Sequence, residues 1–408
     1  MLFLCLISNY IMAILSPVVQ NLEEPMTIGM SRKSRELAAT GINVISLSLG
    51  EPDFDTPDFI KEAGVRAIEE NYSHYTPVAG FLELREAVCK KFKRDNHLEY
   101  RPNQIIVSTG AKQSLANALM ALVGPGDEVI IPAPYWVTYF ELVKLAGGTP
   151  VVLGSSVETD FKVSALDLEN AINDKTRVIM FSSPCNPSGS VYSRSELEAW
   201  AEVIAPHNNI TVLSDEIYEL INYTGQHVSF ASIPGMYERT LTINGLSKGF
   251  AMTGWRLGYM AGPESIIRAC DKVQGQFTSG TCSITQRAAI AALEASPGKV
   301  QYMVDTFASR RDLMMGLLGE IPGLKLSTPE GAFYLYPDVS AYFGKSHRGK
   351  KLNSSLDISM YLLEEGHVAT VPGEAFGTPE NIRLSFAASE DNLKEAVRRV
   401  AKAFANLS

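Results

Sequence analysis

The sequence predicts an α/β protein, with a mainly parallel sheet covered by helices on both faces and a smaller α+β lobe after it. Three observations carry this expectation. From about residue 55, short β-branched runs alternate with stretches of helical periodicity. Polar or glycine-containing clusters end the β-rich runs, as the turns of βα units do. The 408 residues also exceed what one small core organises, so the length implies two or three structural units.

The elements follow in order. "QIIVST" (104–109) reads as a strand and "AKQSLANALMALV" (111–123) as a helix. Strand "DEVIIP" (127–132), helix "YWVTYFELVKLAG" (135–147) and strand "TPVVLG" (149–154) come next. "RVIMFSSP" (177–184), "ITVLSDEIY" (210–218), "RTLTING" (239–245) and "WRLGYMAG" (255–262) are further strands by the same criteria. Residues 285–318 read as one long amphipathic helix leading to the C-terminal lobe. That lobe carries strands "GAFYLYPDV" and "NIRLSFAA" and a closing helix from about residue 389. The segment 12–50 is expected to pack on the same lobe. The resulting division is a tail to residue 15, an N-terminal segment 16–52, a large domain 53–300 and a small domain 301–408.

The opening "MLFLCLISNYIMAILSP" lacks the basic start of a signal peptide, and Ser8, Asn9 and Tyr10 break it as a membrane span. We expect residues 1–15 to be a tail or to include a mis-called start, with Met12 as the alternative. A net charge of −9 argues against a nucleic-acid binder, although an anionic small molecule needs only local cations. Five scattered cysteines without a CxxC pair fit reduced thiols in a cytoplasmic protein rather than a disulfide frame or zinc site.

In an open parallel sheet, ligands sit at the carboxyl ends of the strands. Four polar clusters fall there: "STGAK", "SSPCNPSG", "SDEIY" and "NGLSK". The first is either a phosphate cradle at a helix start or an ordinary βα turn, and it matches neither a Walker loop nor GxGxxG. Asp215 is either a helix cap or an anchor for a cation. Asn186 lies in an Asn-Pro turn that is structural or functional. Lys248 and Arg256 are the only charges in "NGLSKGFAMTGWRLGYMAG" (244–262). Either both snorkel to solvent, or Lys248 is a lysine of lowered pKa that attacks carbonyls while Arg256 meets an anion. Taken together, the lysine, carboxylate, hydrogen-bond donors and phosphate cradle match what pyridoxal 5′-phosphate requires.

The chain resembles the fold-type-I, pyridoxal-phosphate-dependent aminotransferases of class I, and within them the bacterial aspartate and aspartate/prephenate branch. The resemblance runs from about residue 16 to the C-terminus. It rests on "LGEPDFDTP" (49–57), "YTPVAG" (75–80), "STGAKQ" (108–113), "PAPYWVTY" (132–139), "SSPCNPSG" (182–189), "SDEIYE" (214–219), "NGLSKGFAMTGWRLGY" (244–259), "GAFYLY" (331–336), "VPGEAFG" (371–377) and "IRLSFA" (382–387). It implies a seven-stranded sheet in the large domain, a homodimer with shared active sites, and transfer of the amino group of L-aspartate to 2-oxoglutarate by ping-pong chemistry. By the same resemblance, Lys248 forms the internal aldimine and acts as the base. Asp215 pairs with the ring nitrogen, Tyr218 and Asn186 bond the ring oxygen, and Trp136 stacks on the ring. Gly110, Ala111, Lys112, Ser247 and Arg256 hold the phosphate, and Tyr75 reaches the phosphate of the other subunit. Arg383 binds the substrate α-carboxylate, with the Gly50 backbone, Trp136 and Asn186 nearby.

For the distal carboxylate, the stretch "QGQFTSGTCSITQ" (274–286) offers no basic residue. In the branch that this sequence resembles, the lysine of the "GAKQ" turn serves instead, here Lys112. A point charge tolerates acidic substrates of several shapes, which keeps prephenate and broader specificity as alternatives. Where these relatives commonly read "KPSAT", this chain reads "EEPMT" (23–27), retaining only Thr27 of the polar contacts. A pyridoxal-phosphate-dependent β-lyase is the nearest rival. A non-catalytic regulator finds no room for its DNA-binding domain, and the missing GxGxxG excludes a Rossmann dehydrogenase.

Overall fold

The computed structural model describes residues 15–20 and 22–408. Of the expected tail at 1–15, residues 1–14 lie outside the described residues. The large sheet comprises β1 (Ile105–Ser108), β2 (Glu128–Pro132), β3 (Thr149–Leu153), β4 (Thr176–Ser182), β5 (Thr211–Asp215), β6 (Thr240–Gly245) and β7 (Gly258–Ala261). Their spatial order is β1-β7-β6-β5-β4-β2-β3. Every pair is parallel except those of β7, which runs antiparallel to both β1 and β6.

Burial explains the sequence patterns. β1, β6 and β7 are buried at every position, as strands covered on both faces must be, and they read as unbroken apolar or small-residue runs. β3 is partly exposed and contains Pro150, which only an edge strand accommodates without losing a ladder bond. Helices Ala111–Leu122, Thr138–Leu145 and Glu264–Phe277 cover one face around Leu115, Leu119 and Val143. Helices Ala165–Ala171 and Arg194–Ile204 cover the other around Leu197 and Trp200.

The smaller sheet joins Val371–Pro372, Ile382–Ser385 and Tyr334–Leu335 in antiparallel fashion. Ile45–Ser46 pairs with Val368–Ala369, and Met30 of helix Met26–Ala39 packs with Leu363 and Ala369. The N-terminal segment therefore sits on the C-terminal lobe. The closing helix Glu390–Ala405 is capped by the Ser389 hydroxyl, which accepts from the Asn392 N–H. It buries Leu393, Ala396, Val397, Val400 and Phe404 at helical spacing.

Two expectations change. The single helix at 285–318 is two, Ser283–Glu294 and Gln301–Gly319, because Pro297 and Gly298 interrupt the apolar period in a short 3₁₀ turn. The strand expected over 331–339 shrinks to Tyr334–Leu335: Ala332 takes a left-handed φ of 57° before it, and Pro337, which has no N–H for the ladder, follows it. The four described cysteines are free, and no helix among the described residues is long and apolar enough to cross a membrane.

Candidate active site

A cleft of about 270 Å³ opens at the carboxyl ends of the parallel strands, between the large sheet and the small lobe. The reversed strand accounts for its composition. Gly258 at the start of β7 lies opposite both Ser108 and Gly245, the last residues of β1 and β6. Arg256, two residues earlier, is thereby delivered to the edge where Lys248 leaves β6 and helix Ala111–Leu122 leaves β1. Only glycine permits this approach, since a Cβ on Gly258 would strike the Ala111 backbone nitrogen.

Lys248 donates from Nζ to the Gly50 carbonyl over 2.6 Å. Burial pushes its amine down to about 8, and the cations Arg383 and Arg256 act in the same direction against Glu51 and Asp215. Asp215, the last residue of β5, is buried and pushed up to about 6. The Tyr139 hydroxyl (2.6 Å) and the Ile217 N–H (3.2 Å) bond its carboxylate and oppose that shift. Tyr218 lies one turn on, its hydroxyl 2.7 Å from that of Tyr334, and burial raises its pKa well above the usual phenol range.

At the start of helix Ala111–Leu122, Gly110 has a φ of 88° and no room for a Cβ, which would meet the Arg256 guanidinium. The first N–H groups of helix Ala111–Leu122 have no intrahelical acceptor and face the cleft beside Ser247 and Arg256. Arg256 itself is held at a left-handed φ of 55°, a strained setting for a side chain of this size. A guanidinium, a hydroxyl and a helix start together make an anion cradle. The Lys248 amine and the Asp215 carboxylate complete a donor set that fits pyridoxal 5′-phosphate.

Arg383 comes from the small sheet. It is 2% exposed, donates to Asn186 Oδ1 (2.9 Å) and the Ser48 carbonyl (2.7 Å), and stacks on Tyr334. Its Nε has no partner, and the groups acting on its charge are the phenols Tyr334, Tyr218 and Tyr336 rather than a carboxylate. A buried guanidinium bonded only to neutral acceptors keeps an unneutralised charge and donor capacity that a carboxylate can satisfy. Lys112 lines the rim of the cleft, its ammonium 4.9 Å from the Trp136 ring centre. Desolvation of that ammonium, then Arg256, lowers its pKa.

The structure brings Thr27, Gly50, Ala111, Lys112, Trp136, Asn186, Asp215, Tyr218, Ser247, Lys248, Arg256 and Arg383 to this one cleft. Gly110 adjoins it through Arg256. Tyr75 does not join them: it is fully exposed, away from the cleft of its own chain. Sequence reasoning missed Tyr139 and Tyr334 as site residues. Tyr139 lies in the first turn of a helix just after Trp136, and the two rings meet edge to face 5.7 Å apart. Tyr334 carries no comparable signal, because it arrives from the other lobe.

Residues 42–400 match the family model described as aminotransferase class I and II. A relative from Petunia hybrida, a bifunctional aspartate aminotransferase and glutamate/aspartate-prephenate aminotransferase, is 50% identical over 96% of this chain and 83% of its own. The aspartate/prephenate aminotransferase of Cereibacter sphaeroides is 47% identical over 97% of this chain and 100% of its own. Among solved structures, the aspartate aminotransferase of Rhizobium meliloti superposes with a TM-score of 0.94 at 41% identity, covering 97% of this chain and all of that one. The Thermus thermophilus aspartate aminotransferase with maleate gives 0.90 at 40% identity, covering 96% of this chain and all of that one.

Proposed function

The chain belongs to the class I and II aminotransferases, and on that premise we propose that its cleft binds pyridoxal 5′-phosphate and moves the amino group of L-aspartate to 2-oxoglutarate, giving oxaloacetate and L-glutamate. One observation carries the reading. A lysine amine poised near 8 shares a cleft with a buried guanidinium that lacks a carboxylate partner. The first is the reacting base and the second is the receptor for an amino acid's α-carboxylate.

When bound, pyridoxal 5′-phosphate supplies a carbonyl carbon for the amino group and a ring that accepts electron density. The protein's own residues do the rest. Arg383 and Asn186 fix the α-carboxylate, which orients the Cα hydrogen toward Lys248. Lys248, uncharged in part at neutral pH, would take the proton from the substrate Cα at its Nζ and hold it there as the general base. Asp215, held by Tyr139, presents a negative charge from the floor, and Tyr218 presents a hydroxyl steadied by Tyr334. The 111–112 backbone, Ser247 and Arg256 hold the anionic end. Lys112 meets the distal carboxylate, a role consistent with the maleate named for the Thermus neighbour. Tyr75 supports a homodimer, since its exposed ring is available to a second copy and absent from its own cleft.

Prephenate as an amino acceptor is a second reading, favoured by the names of the relatives and by Lys112 being a point charge rather than a fork. A panel of amino donors against 2-oxoglutarate and oxaloacetate, with prephenate among the acceptors, tests both. Aspartate with 2-oxoglutarate is expected to lead. Elimination from β-substituted donors without amino transfer would overturn the reading in favour of a lyase.

A further inference from the structure

Behind the cleft lies a buried charge cluster that the chemistry above does not use. Glu216, next to Asp215, is 1% exposed. Its Oε1 accepts from the hydroxyls of Ser214 and Ser229 (2.9 Å each) and from the Phe230 N–H (3.3 Å). Its Oε2 lies 2.8 Å from Nε2 of His227, whose side chain is itself 9% exposed. Glu219, one turn later, is bonded by Lys91 and by the Asn96 amide (3.1 Å). Glu216, Glu219 and His227 are close enough to surround a cation. Lys91 already occupies that role for Glu219, however, and four donors on Glu216 fill its lone pairs, so both carboxylates are satisfied by the protein's own groups and only Nδ1 of His227 is left without a partner among the described residues.

The charges around the imidazole decide its state. Glu216 and Glu219 face it from the turn after β5. Lys91 faces it from helix Leu82–Asn96, with Asp95 and Arg94 behind, and the Tyr100 and Tyr259 phenols lie near the carboxylates. Burial pulls the His227 pKa down, but the two carboxylates outweigh it and raise the value above that of an ordinary imidazole. With His227 and Lys91 both charged, the two glutamates are matched one for one.

We propose that His227 is a positioning residue for Asp215: as an imidazolium it cancels the charge of Glu216, so that Asp215 alone presents a negative charge to the cleft. The inference rests on the functional reading above, in which Asp215 meets a protonated ring nitrogen. Glu216 is among the groups that raise the Asp215 pKa, so an uncompensated Glu216 makes Asp215 hold its proton more tightly. A protonated Asp215 cannot pair with a cationic ring. Removing His227's charge therefore weakens cofactor capture at the acid end of the pH range, and removing Glu216's charge strengthens it there.

The test is a titration of the cofactor-free chain with pyridoxal 5′-phosphate between pH 5 and 8, read by absorbance, in wild type, His227→Gln, Glu216→Gln and the double variant. The pH below which Kd rises is expected to move up by on the order of one unit in His227→Gln. It is expected to move down in Glu216→Gln and to return near the wild-type value in the double variant. Ser229→Ala, which removes a hydrogen bond but no charge, is expected to leave it in place. A purely structural role would make the two losses add, and single shifts of the same sign would overturn the inference. In parallel, histidine NMR of the cofactor-free chain follows the six histidines, with His227→Gln identifying its resonance. His227 is expected to titrate above about 6.5, and lower in Glu216→Gln; a neutral His227 from pH 6 upward overturns the inference even if a variant misfolds. If the wild-type chain captures no pyridoxal phosphate at any pH, the functional reading falls and this inference with it. Normal capture unmoved by the variants overturns this inference alone.

Discussion

Tyr139 donates its phenolic hydrogen to Asp215 Oδ2 over 2.6 Å, with both groups buried at the floor of the cleft. The bond offsets part of what burial costs the carboxylate, and it originates from the helix that begins beside Trp136. Tyr139→Phe keeps the ring and loses the donor. Asp215 then binds its proton more tightly, and the Kd for pyridoxal 5′-phosphate at neutral pH is expected to rise about ten-fold, the worth of one hydrogen bond to a charged group. Equilibrium titration of the cofactor-free variant checks this, and an unchanged Kd contradicts it.

Asp215 also predicts a pH effect on stability. Its folded pKa of about 6 lies above the unfolded value near 3.9, so the folded state holds the proton more tightly. That contribution is fully present below about pH 4 and is lost as pH rises through about 6. Asp215→Asn in the cofactor-free protein is expected to raise Tm at pH 7.5 and to have little effect at pH 4.5. A two-unit shift bounds the gain at roughly 3 kcal/mol. Thermal melts at the two pH values decide it.

Lys112 and Arg383 separate by substrate dependence. Lys112→Ala is expected to raise KM for aspartate about ten-fold while leaving that of a neutral amino acid nearly unchanged, since only the former has a distal carboxylate. Arg383→Lys loses the planar fork and is expected to lower kcat/KM for acidic and neutral donors alike, by ten-fold or more on the order of one charged hydrogen bond. Steady-state kinetics with both donors tests the pair. Equal effects of Lys112→Ala on both would reassign that lysine to the phosphate.

Lys248→Ala removes the amine proposed as both anchor and base. Transamination is expected to fall by at least about 10²–10⁴-fold, and the protein-bound absorbance of the cofactor to be lost with it. In the wild-type chain, capture of pyridoxal phosphate is expected to quicken as pH rises through about 8, because only the uncharged amine attacks a carbonyl. Stopped-flow mixing of the cofactor-free protein reads the pH dependence directly.

Much of this was legible in the sequence because local patterns and global fold agree. The runs at 104–109, 149–154 and 239–245 became β1, β3 and β6 with ends displaced by no more than a residue or so. The polar clusters after β1, β4, β5 and β6 did converge. What escaped depends on long-range geometry. The reversal of β7 has no local signature, since a buried strand looks the same in either direction. Tyr334 arrives from the other lobe and Lys91 from helix Leu82–Asn96 to meet Glu216, Glu219 and His227, and charged residues in a sequence normally read as surface. Pro297 was visible, but the apolar periods on its two sides are in near phase and mask the break.

The hairpin formed by β6 and β7 acts as a caliper. Both of its legs are interior strands of the sheet, and its single loop carries Lys248 near one leg and Arg256 near the other. The gap between the two is thus a fixed measure, set by one loop rather than by the docking of two lobes. Arg383 comes from the separate small sheet, so its position does not set that measure. A one-residue insertion between Lys248 and Arg256 would miscalibrate the tool while leaving every other part of the cleft intact.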